Sequence, residues 1–284
     1  MKIFVKVWLG IGLLAIGFGI AILIVAAASG VSWRDVPTYS MDESFEGIES
    51  IDIQIGAGEV IIVEGDDFHV KADNIPKDSF QSHVTSDGTW VIKQDRDYIV
   101  DLFGVHFSIG QIAWWKDEFR PEVTITIPKD FTASEFSFEI GAGRADVETI
   151  LAQKGRFTVG AGKIVIDQLN ISEASDYEVG AGEMIINQMM VNNITVECGF
   201  GDVNMNGTVT GESSVECGVG SINLDLSGDL EDYSFRVENG IGSIRINNES
   251  YRNLQERNLL SGEARNSLDL ECGVGSISID IDNN

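Results

Sequence analysis

Basic residues, histidine and cysteine are scarce in this sequence, and each shortage argues against a class of function. The 284 residues include 19 Lys and Arg against 45 Asp and Glu, which gives a formal net charge of −26. Nucleic acids and anionic lipids are bound through clustered Lys and Arg, so this charge argues against both as partners. The three cysteines are too few for a disulfide-dense scaffold. The histidines are His69, His83 and His106, and their spacing is not that of zinc ligands.

Sequence signatures of an enzyme are also missing. No Gly-x-Ser-x-Gly nucleophile elbow occurs. Asp and Glu are so frequent that a pair of carboxylates has no value for predicting glycoside hydrolysis. A polysaccharide lyase would need a base and charge-stabilising groups in a cleft, and basic residues are sparse in the repeats described below. We therefore expect no enzymatic activity, and we assign no catalytic, cofactor-binding or metal-binding residue.

One long uncharged run stands at the N-terminus. Residues 7–28 contain no charged side chain, and a helix of about 20 apolar residues spans the hydrocarbon core of a bilayer. Lys2 and Lys6 precede the run, and positive residues stay in the cytoplasm, so the rest of the chain is expected to be extracytoplasmic. We expect a cytoplasmic stub at 1–6, a transmembrane anchor at 7–28 and a linker at 29–44.

The alternative for this run is a cleaved signal peptide, because Ala26–Ala28 resembles a small-residue cleavage site. A signal peptide usually has an apolar core of about 7–15 residues, so the length of the run favours the anchor. In either case the residues after position 30 include 17 basic and 45 acidic side chains, a net charge of −28. The acidity of the protein therefore belongs to its extracytoplasmic part.

A Gly-x-Gly repeat dominates the remaining sequence. Five of the seven steps between successive copies are 19–22 residues long, which is typical of a repeat protein. A lone Gly-x-Gly is a weak nucleotide-loop signal, but no helical pattern follows any copy, so phosphate binding is not expected. The first glycines of the eight copies are Gly56, Gly141, Gly160, Gly180, Gly199, Gly218, Gly240 and Gly273.

Apolar residues recur at fixed distances from each glycine pair. All eight positions two residues after the second glycine are apolar, and so are all eight positions four residues after it. The residue directly after that glycine is polar in every copy, so the alternation has period two and predicts a half-buried strand. We expect glycine at the bend to permit a kink or a positive φ. The apolar residues three positions before the first glycine are Ile53, Phe138, Phe157, Tyr177, Val196, Val215, Val237 and Leu270.

Two short strands cannot bury their apolar faces alone, so the repeats are expected to stack. Successive repeats about 4.8 Å apart would form an all-β solenoid (β-helix) of two-strand coils, each of about 19–20 residues. The alternative is an antiparallel β-sandwich. One feature distinguishes the solenoid from the sandwich: only a solenoid stacks the apolar residues of successive coils in parallel. The column to check is Ile164, Met184, Val203 and Ile222.

Cysteine takes the place of Ile and Val directly before three of the glycine pairs. Free cysteine packs well as a small apolar side chain, so buried thiols are expected. The alternative is a disulfide between Cys198 and Cys217, since neighbouring strands about 4.8 Å apart fall within the Cα distances that a disulfide allows. Stacked side chains point in the same direction, however, and Cys272 would lack a partner.

Two further columns are acidic. Seven of the eight residues five positions after the second glycine are Asp, Asn or Glu, and six of the eight residues two positions before the first glycine are Glu. We interpret the columns as a solvated acidic face with an Asn/Asp ladder at a corner. The alternative is weak divalent-cation binding, because Ca²⁺ takes carboxylate and amide oxygens, and no other cofactor is expected. The glutamates are Glu139, Glu178, Glu197, Glu216, Glu238 and Glu271.

The region between the first two glycine pairs breaks the period. It holds strand-like runs at 89–93 and 122–128 and an aromatic stretch. A solenoid end exposes apolar core, so a cap is expected there, and an exposed aromatic platform for a glycan or partner is the alternative. We assign 45–135 to the first coil and N-terminal cap, and 136–284 to the repeats, with a polar surface excursion or short helix at 249–267. The aromatic residues are Phe103, Phe107, Trp114 and Trp115.

These segments resemble the bacterial putative-adhesin family of β-strand-repeat proteins. Residues 49–60 resemble its opening strand pair, and residues 123–129 are similar to its strand-Pro segment. The glycine repeats from Phe138 onward follow in the family manner, so the resemblance covers about residues 45–284. It implies the β-solenoid fold and supplies no catalytic or ligand residue. Some members are linked to cell-envelope stress signalling in Gram-positive bacteria.

The sequence therefore predicts a membrane-anchored, extracytoplasmic and non-enzymatic β-solenoid. Its predicted function is that of an adhesin or surface-interaction protein, with a cell-surface polymer or a membrane protein as partner. The alternative is an accessory protein of a cell-envelope stress signalling system, in which the solenoid binds the extracytoplasmic part of a partner.

Overall fold

The computed structural model describes residues 38–76, 79–94, 99–102, 105–108, 121–247, 249–251, 255–259 and 264–282. The predicted anchor, Trp114 and Trp115 lie outside these residues. No helix within the described ranges is long and apolar enough to cross a bilayer, and a 3-10 turn at Leu230–Asp232 interrupts the strands. The strands are β1 Thr38–Phe45, β2 Ser50–Gly65, β3 Phe68–Pro76, β4 Phe80–Val84, β5 Thr89–Gln94, β6 Ile99–Leu102, β7 Val105–Ser108, β8 Glu122–Pro128, β9 Ala133–Val159, β10 Lys163–Val179, β11 Glu183–Asn192, β12 Ile194–Cys198, β13 Asp202–Thr210, β14 Glu212–Cys217, β15 Ser221–Ser227, β16 Tyr233–Asn239, β17 Ser243–Ile246, β18 Glu249–Tyr251, β19 Gln255–Leu259, β20 Asn266–Cys272 and β21 Ser276–Asp282.

The repeats stack in parallel and in register. Ile164 lies opposite Met184, Met184 opposite Val203, and Val203 opposite Ile222. Each residue of this column belongs to a different coil, and the strands that carry them run in the same direction. The predicted β-solenoid is therefore confirmed, and the antiparallel sandwich does not describe the fold.

The core consists of the columns that the period-two pattern selects. The apolar residues two and four positions after each second glycine are at most 5% exposed, and those three positions before each first glycine are at most 1% exposed. Full burial of one such aliphatic side chain contributes about 1.5–3 kcal/mol to folding. Like side chains also stack on one another, as the rings of Phe157 and Tyr177 do with centroids 5.4 Å apart. Stacking of neighbouring coils thus buries apolar side chains that a single coil would leave exposed.

The first strand of a coil bends where two neighbouring side chains are both exposed. In β10, Ile166 and Leu169 are buried, while Asp167 and Gln168 between them are exposed. A flat strand would point one of these two side chains inward, so the chain turns there to keep both apolar residues inside. The same pattern recurs in β11. Each of these coils therefore has a polar corner in addition to its Gly-x-Gly bend.

The bend glycines are required mainly by close approach between coils. A Cβ on Gly182 would lie 2.2 Å from the carbonyl oxygen of Gly162, and one on Gly201 would lie 2.3 Å from that of Gly182. Of the bend glycines, only Gly58 and Gly143 have a positive φ, at 147° and 105°. Of the two predicted roles of glycine, a kink or a positive φ, the positive φ is therefore confined to the first two bends. Glycine recurs because each bend packs directly on the backbone of the bend beside it.

The last strand pair in sequence is not the last coil of the stack. β20 pairs in parallel with β14 and with β16, and β21 pairs in parallel with β15 and with β17. The coil of Gly273 therefore lies between the coils of Gly218 and Gly240. The expectation that successive repeats stack in chain order is wrong at this end. All three coils carry the same apolar pattern, so the pattern accommodates either order.

The region that breaks the repeat period contributes a further coil. β5 pairs in parallel with the first half of β2, and β8 pairs in parallel with the second half. Gln94 lies opposite Ile55 and Glu122 opposite Glu59, so β5 ends and β8 begins on either side of the Gly56–Gly58 pair of the neighbouring coil. The sequence between β5 and β8 contains no Gly-x-Gly, which is why the repeat pattern misses this coil.

Antiparallel strands cover both ends of the stack. At the N-terminal end, β3 pairs with β8, β4 with β5, and β1 with β3. At the other end, β18 pairs with β17 and β19 with β16. The described part of 249–267 is thus made mainly of strands that pair with the end coil, rather than a surface excursion, and it contains no helix. Antiparallel strands stop the parallel stacking and cover edges that would otherwise be open to further pairing.

Candidate interaction surface

In four neighbouring coils the middle residue of the glycine pair is a large apolar residue at the outside of the bend. Its side chain is 48–79% exposed in all four. They are four of the seven large apolar side chains that the described residues expose. In the order of the stack they are Phe200, Val219, Val274 and Ile241, and we call them the apolar ridge.

Backbone hydrogen bonds fix the ridge to the coils beneath it. The amide of each ridge residue donates to the carbonyl oxygen of the first glycine in the neighbouring bend. The ridge residues therefore follow one another at the spacing of the strands, about 4.8 Å. The bonds are Phe200 to Gly180 at 2.7 Å, Val219 to Gly199 at 2.8 Å, Val274 to Gly218 at 2.7 Å and Ile241 to Gly273 at 2.9 Å.

Folding does not require large side chains at these positions. The four other coils with a glycine pair have alanine at the same place, and the amides of Ala161 and Ala181 make the same backbone hydrogen bond as the ridge residues do. Ala161 and Ala181 are exposed there, directly before Phe200 in the stack. Exposed apolar side chains that form one continuous patch are typical of a binding surface. The change from alanine to Phe, Val and Ile marks this half of the solenoid as the candidate site.

A column of five exposed glutamates runs beside the ridge. Each lies three residues before a ridge residue or before Ala181, on the strand that leads into the bend. The pairing of the strands places them directly next to one another, from Glu178 to Glu197, Glu216, Glu271 and Glu238, and we call them the glutamate ladder. Within the described side chains, no Lys or Arg forms an ion pair with any of the five.

The ladder concentrates negative charge at its centre. The pKa of Glu216 is raised, first by partial burial and then by the negative charges of Glu271, Glu197 and Asp269. Like charges directly opposite one another on a sheet destabilise it. The ladder is therefore an arrangement that folding opposes. A local rule that a native fold breaks is commonly broken for function.

The opposite flank of the ridge is uncharged over most of its length. The residue after the second glycine is Ser221, Ser276 or Ser243 in the last three coils. In the coil of Phe200 this residue is Asp202, which accepts a hydrogen bond from the Ser221 hydroxyl. The ridge thus separates a carboxylate column from a hydroxyl column, so the surface has a charged side and a neutral side.

An open depression of about 270 Å³ adjoins the ladder at its Glu178 end. Glu178 and Glu197 line it, together with the hydroxyl residue Thr195. Arg156 stands at the same depression and is held 3.5 Å from the carboxylate of Asp176. The depression therefore offers two ladder carboxylates to a ligand.

The predicted Asn/Asp ladder lies at the polar corner, away from the ridge. Asn187 donates to Asp167 at 2.7 Å, and Arg245 forms an ion pair with Asp280 at 2.8 Å. These contacts tie neighbouring coils together. The interpretation of this column as a hydrogen-bonded corner thus agrees with the geometry.

The three cysteines form one buried column. Cys198 lies opposite Cys217, and Cys217 lies opposite Cys272, so the three side chains occupy neighbouring coils. All three are free thiols and at most 3% exposed. Burial raises the pKa of Cys217 to about 12. The thiols of Cys198 and Cys217 contact carbonyl oxygens of their own bends at 3.0 and 3.2 Å, so they act as packing groups inside the coil.

Other groups considered in the sequence contribute little to a site. His69 lies 2.8 Å from Asp42, and among the described residues no cluster of three His, Cys, Asp or Glu side chains could hold a metal ion. The aromatic residues Trp114 and Trp115 are outside the described ranges. Sequence reasoning missed the apolar ridge, although its signal was present as the residue between the two glycines.

The parallel stacking of strand-bend-strand coils places this chain in the class of all-β repeat proteins, and its apolar ridge and carboxylate column lie on one edge of the solenoid. This chain belongs to the Toastrack DUF4097 family, whose model matches residues 48–279. A comparison with curated proteins finds no match.

Solved structures of bacterial proteins are similar to the chain at low identity. One is a putative cell adhesion protein from Clostridium sporogenes, 18% identical, covering 87% of this chain and 100% of its own, with a TM-score of 0.37. A second is a putative adhesin from Bacteroides fragilis, 15% identical, covering 86% and 97%, with a TM-score of 0.43. A third is a putative adhesin from Parabacteroides distasonis, 14% identical, covering 86% and 98%, with a TM-score of 0.35. These likenesses are too distant to carry residue roles over.

Proposed function

We propose that this protein is a membrane-anchored, extracytoplasmic and non-enzymatic interaction protein of the adhesin type. The observation that carries the proposal is the apolar ridge with the glutamate ladder beside it, a continuous exposed surface over neighbouring coils. Folding requires neither feature, since alanine serves at the other bends and like charges in register oppose the sheet. A surface of this kind is suited to binding a partner.

The sequence supports placement of this surface outside the cytoplasm. Residues 7–28 are uncharged and long enough to span a bilayer, and Lys2 and Lys6 precede them. The residues that follow carry the whole acidic excess, −28. Similar proteins named as adhesins agree with a surface location. The cell-surface polymer or membrane protein that the sequence predicts as partner fits the same placement.

Membrane anchoring is tested by fractionation and protease accessibility. The full chain with a C-terminal tag is expected in the membrane fraction, with the tag cleaved by protease added to intact spheroplasts. Replacing Leu13 and Ile22 by Arg inside the apolar run should release the chain from the membrane, because a charge at the bilayer centre costs about 2.5–3.5 kcal/mol. A tag that is protected in intact spheroplasts would contradict the extracytoplasmic placement.

The interaction function is tested by capture on intact cells that display the full chain. Photo-crosslinking groups placed at Val219 and Val274 are expected to capture a cell-surface partner. A matched group at Met190, which is 66% exposed on another face, should not capture it. Equal products from the three positions would show that the ridge does not select a partner.

A further inference from the structure

We infer that the apolar ridge and the glutamate ladder together bind a cationic amphipathic polypeptide segment, with its apolar side chains on the ridge and its Lys or Arg side chains on the ladder. The inference rests on the proposed interaction function and names the chemical class of its partner. It depends on the ridge and the ladder being parallel and in the same coils.

The two features share one repeat. Glu197 and Phe200 are three residues apart on the same coil, and so are Glu216 and Val219. The next two coils repeat the arrangement with Glu271 beside Val274 and Glu238 beside Ile241. Each of these four coils therefore offers one carboxylate and one large apolar side chain, about 4.8 Å from the next pair.

The charge of the surface decides what kind of partner fits. The ladder carboxylates have no ion pair with a described Lys or Arg side chain, so they are available to a cationic ligand. A second copy of this chain would bring an equally acidic surface against the first, and each chain has a net charge of −26. An anionic lipid surface would be repelled for the same reason. A partner that buries the apolar side chains must therefore bring positive charge with it.

The length of the surface sets the size of the segment. Four coils span about 14 Å from the first ridge residue to the last, at about 4.8 Å per step. This corresponds to about ten residues of helix or four to five residues of extended chain. At one end, the depression lined by Glu178 and Glu197 offers room for a basic side chain. The segment is therefore short, with several basic residues along one edge.

The experiment measures binding of synthetic peptides to the full-length chain in zwitterionic nanodiscs, with empty nanodiscs as the blank. The probe is a short amphipathic peptide of Lys and Leu. Two control peptides have Ser in place of Leu, or Glu in place of Lys. The Lys/Leu peptide is expected to bind at least about tenfold more tightly than either control, because it alone provides both complementary features. Its binding should weaken as salt rises, since the ladder is exposed.

Two variants locate the site, each with a matched control. The triple substitution Glu197→Gln, Glu216→Gln and Glu271→Gln is compared with Glu46→Gln, Glu135→Gln and Glu231→Gln, which change the net charge equally at exposed positions elsewhere. The double substitution Phe200→Ser and Ile241→Ser is compared with Met190→Ser and Leu230→Ser. Each site variant is expected to lose about tenfold or more in affinity, while each control stays within about twofold.

All the altered side chains are exposed, so every variant is expected to fold. The melting temperature of each variant checks this. Equal losses in site and control variants would overturn the inference, because general attraction to an acidic protein would then explain the binding. Equal binding of the Lys/Leu and Lys/Ser peptides would also overturn it. Failure of the membrane-anchoring or cell-capture tests would count against the proposed function. The peptide measurements would still decide separately whether the ridge and the ladder bind a cationic segment.

Discussion

Cys217 and Cys272 lie directly opposite each other in neighbouring parallel strands, although 55 residues of sequence separate them. The strand that carries Cys272 has β14 on one side and β16 on the other. The C-terminal strand pair is thus enclosed between two coils that precede it in sequence. The coil of β16 and β17 has no parallel neighbour until this last segment is in place.

Removal of the C-terminal strand pair is therefore expected to disorder the coil before it. Deleting residues 264–284 removes Leu268, Leu270, Ile277 and Ile279, each at most 1% exposed. At about 1.5–3 kcal/mol for each buried side chain, the loss is comparable to the whole stability of a typical domain. Hydrogen exchange should show that amides of β16 and β17 lose protection. Deleting only residues 283–284 is the control, and retained protection in the longer deletion would contradict the expectation.

Alanine at a bend glycine is expected to destabilise the solenoid. In Gly201→Ala, the new Cβ would lie 2.3 Å from the carbonyl oxygen of Gly182 and 2.6 Å from Cγ1 of Val179. The neighbouring backbone must move, so the free energy of unfolding should fall by about 1–3 kcal/mol or more. Chemical denaturation measures the change. The control, Ala181→Val at the exposed middle position of a bend, should stay within about 0.5 kcal/mol, and similar effects for both would count against close approach as the cause.

The sequence was sufficient to predict the direction of stacking and the core. Ile164, Met184 and Val203 were recognisable because period-two alternation and the glycine spacing fix which side chains face inward. The order of the last coils was not predictable, since Val215, Leu270 and Val237 are interchangeable apolar residues in equivalent positions. Pairing partners are chosen by contacts over the whole stack, which a local pattern does not contain.

The candidate site was only half predictable. The glutamates were visible as a column, but the insertion of β20 places Glu271 between Glu216 and Glu238, which the sequence order hides. The ridge was overlooked because Phe200 and Ile241 occupy a position where most repeats have small or medium side chains. Exposure decides the significance of an apolar residue, and exposure at a bend becomes evident only in the folded coil.

The buried thiols are expected to be unreactive in the native protein. Cys198, Cys217 and Cys272 are at most 3% exposed, and burial raises the pKa of each, that of Cys217 to about 12. The thiolate is the reactive form, so iodoacetamide at about pH 8 should label these residues only after denaturation. Mass spectrometry counts the labels. The variant Met190→Cys provides an exposed thiol as positive control, and a Cys198–Cys217 disulfide in a non-reducing peptide map would contradict the prediction.

Glu216→Gln is expected to stabilise the protein at neutral pH. The folded state raises the pKa of Glu216, so it binds the proton more tightly than the unfolded chain does. The stabilisation from protonation is complete below the unfolded pKa of about 4.3 and is lost as pH rises through the raised folded pKa. At pH 7 the charged ladder is therefore unfavourable, and removing its central charge should raise the melting temperature slightly, with a gain of a few tenths of a kcal/mol after solvent screening.

The pH dependence tests whether the gain comes from removing the ionised carboxylate of Glu216. The melting temperatures of Glu216→Gln and the unaltered chain should converge below about pH 4, where Glu216 is protonated. Glu231→Gln, at an exposed position away from the ladder, should show a smaller effect at pH 7. A gain that stays constant down to pH 3, or a loss at pH 7, would rule out the ionised carboxylate of Glu216 as the origin.

Cations are expected to stabilise the solenoid by screening rather than by occupying a site. The ladder carboxylates repel one another, and salt weakens the repulsion because the side chains are exposed. Ca²⁺ and Na⁺ at equal ionic strength should therefore raise the melting temperature by nearly the same amount, since no described cluster of acidic side chains could hold a metal ion. Thermal melting with millimolar Ca²⁺, with chelator, and with matched NaCl separates the two effects. A clearly larger rise with Ca²⁺, reversed by chelator and reduced in the triple ladder variant, would instead establish that the acidic columns bind divalent cations.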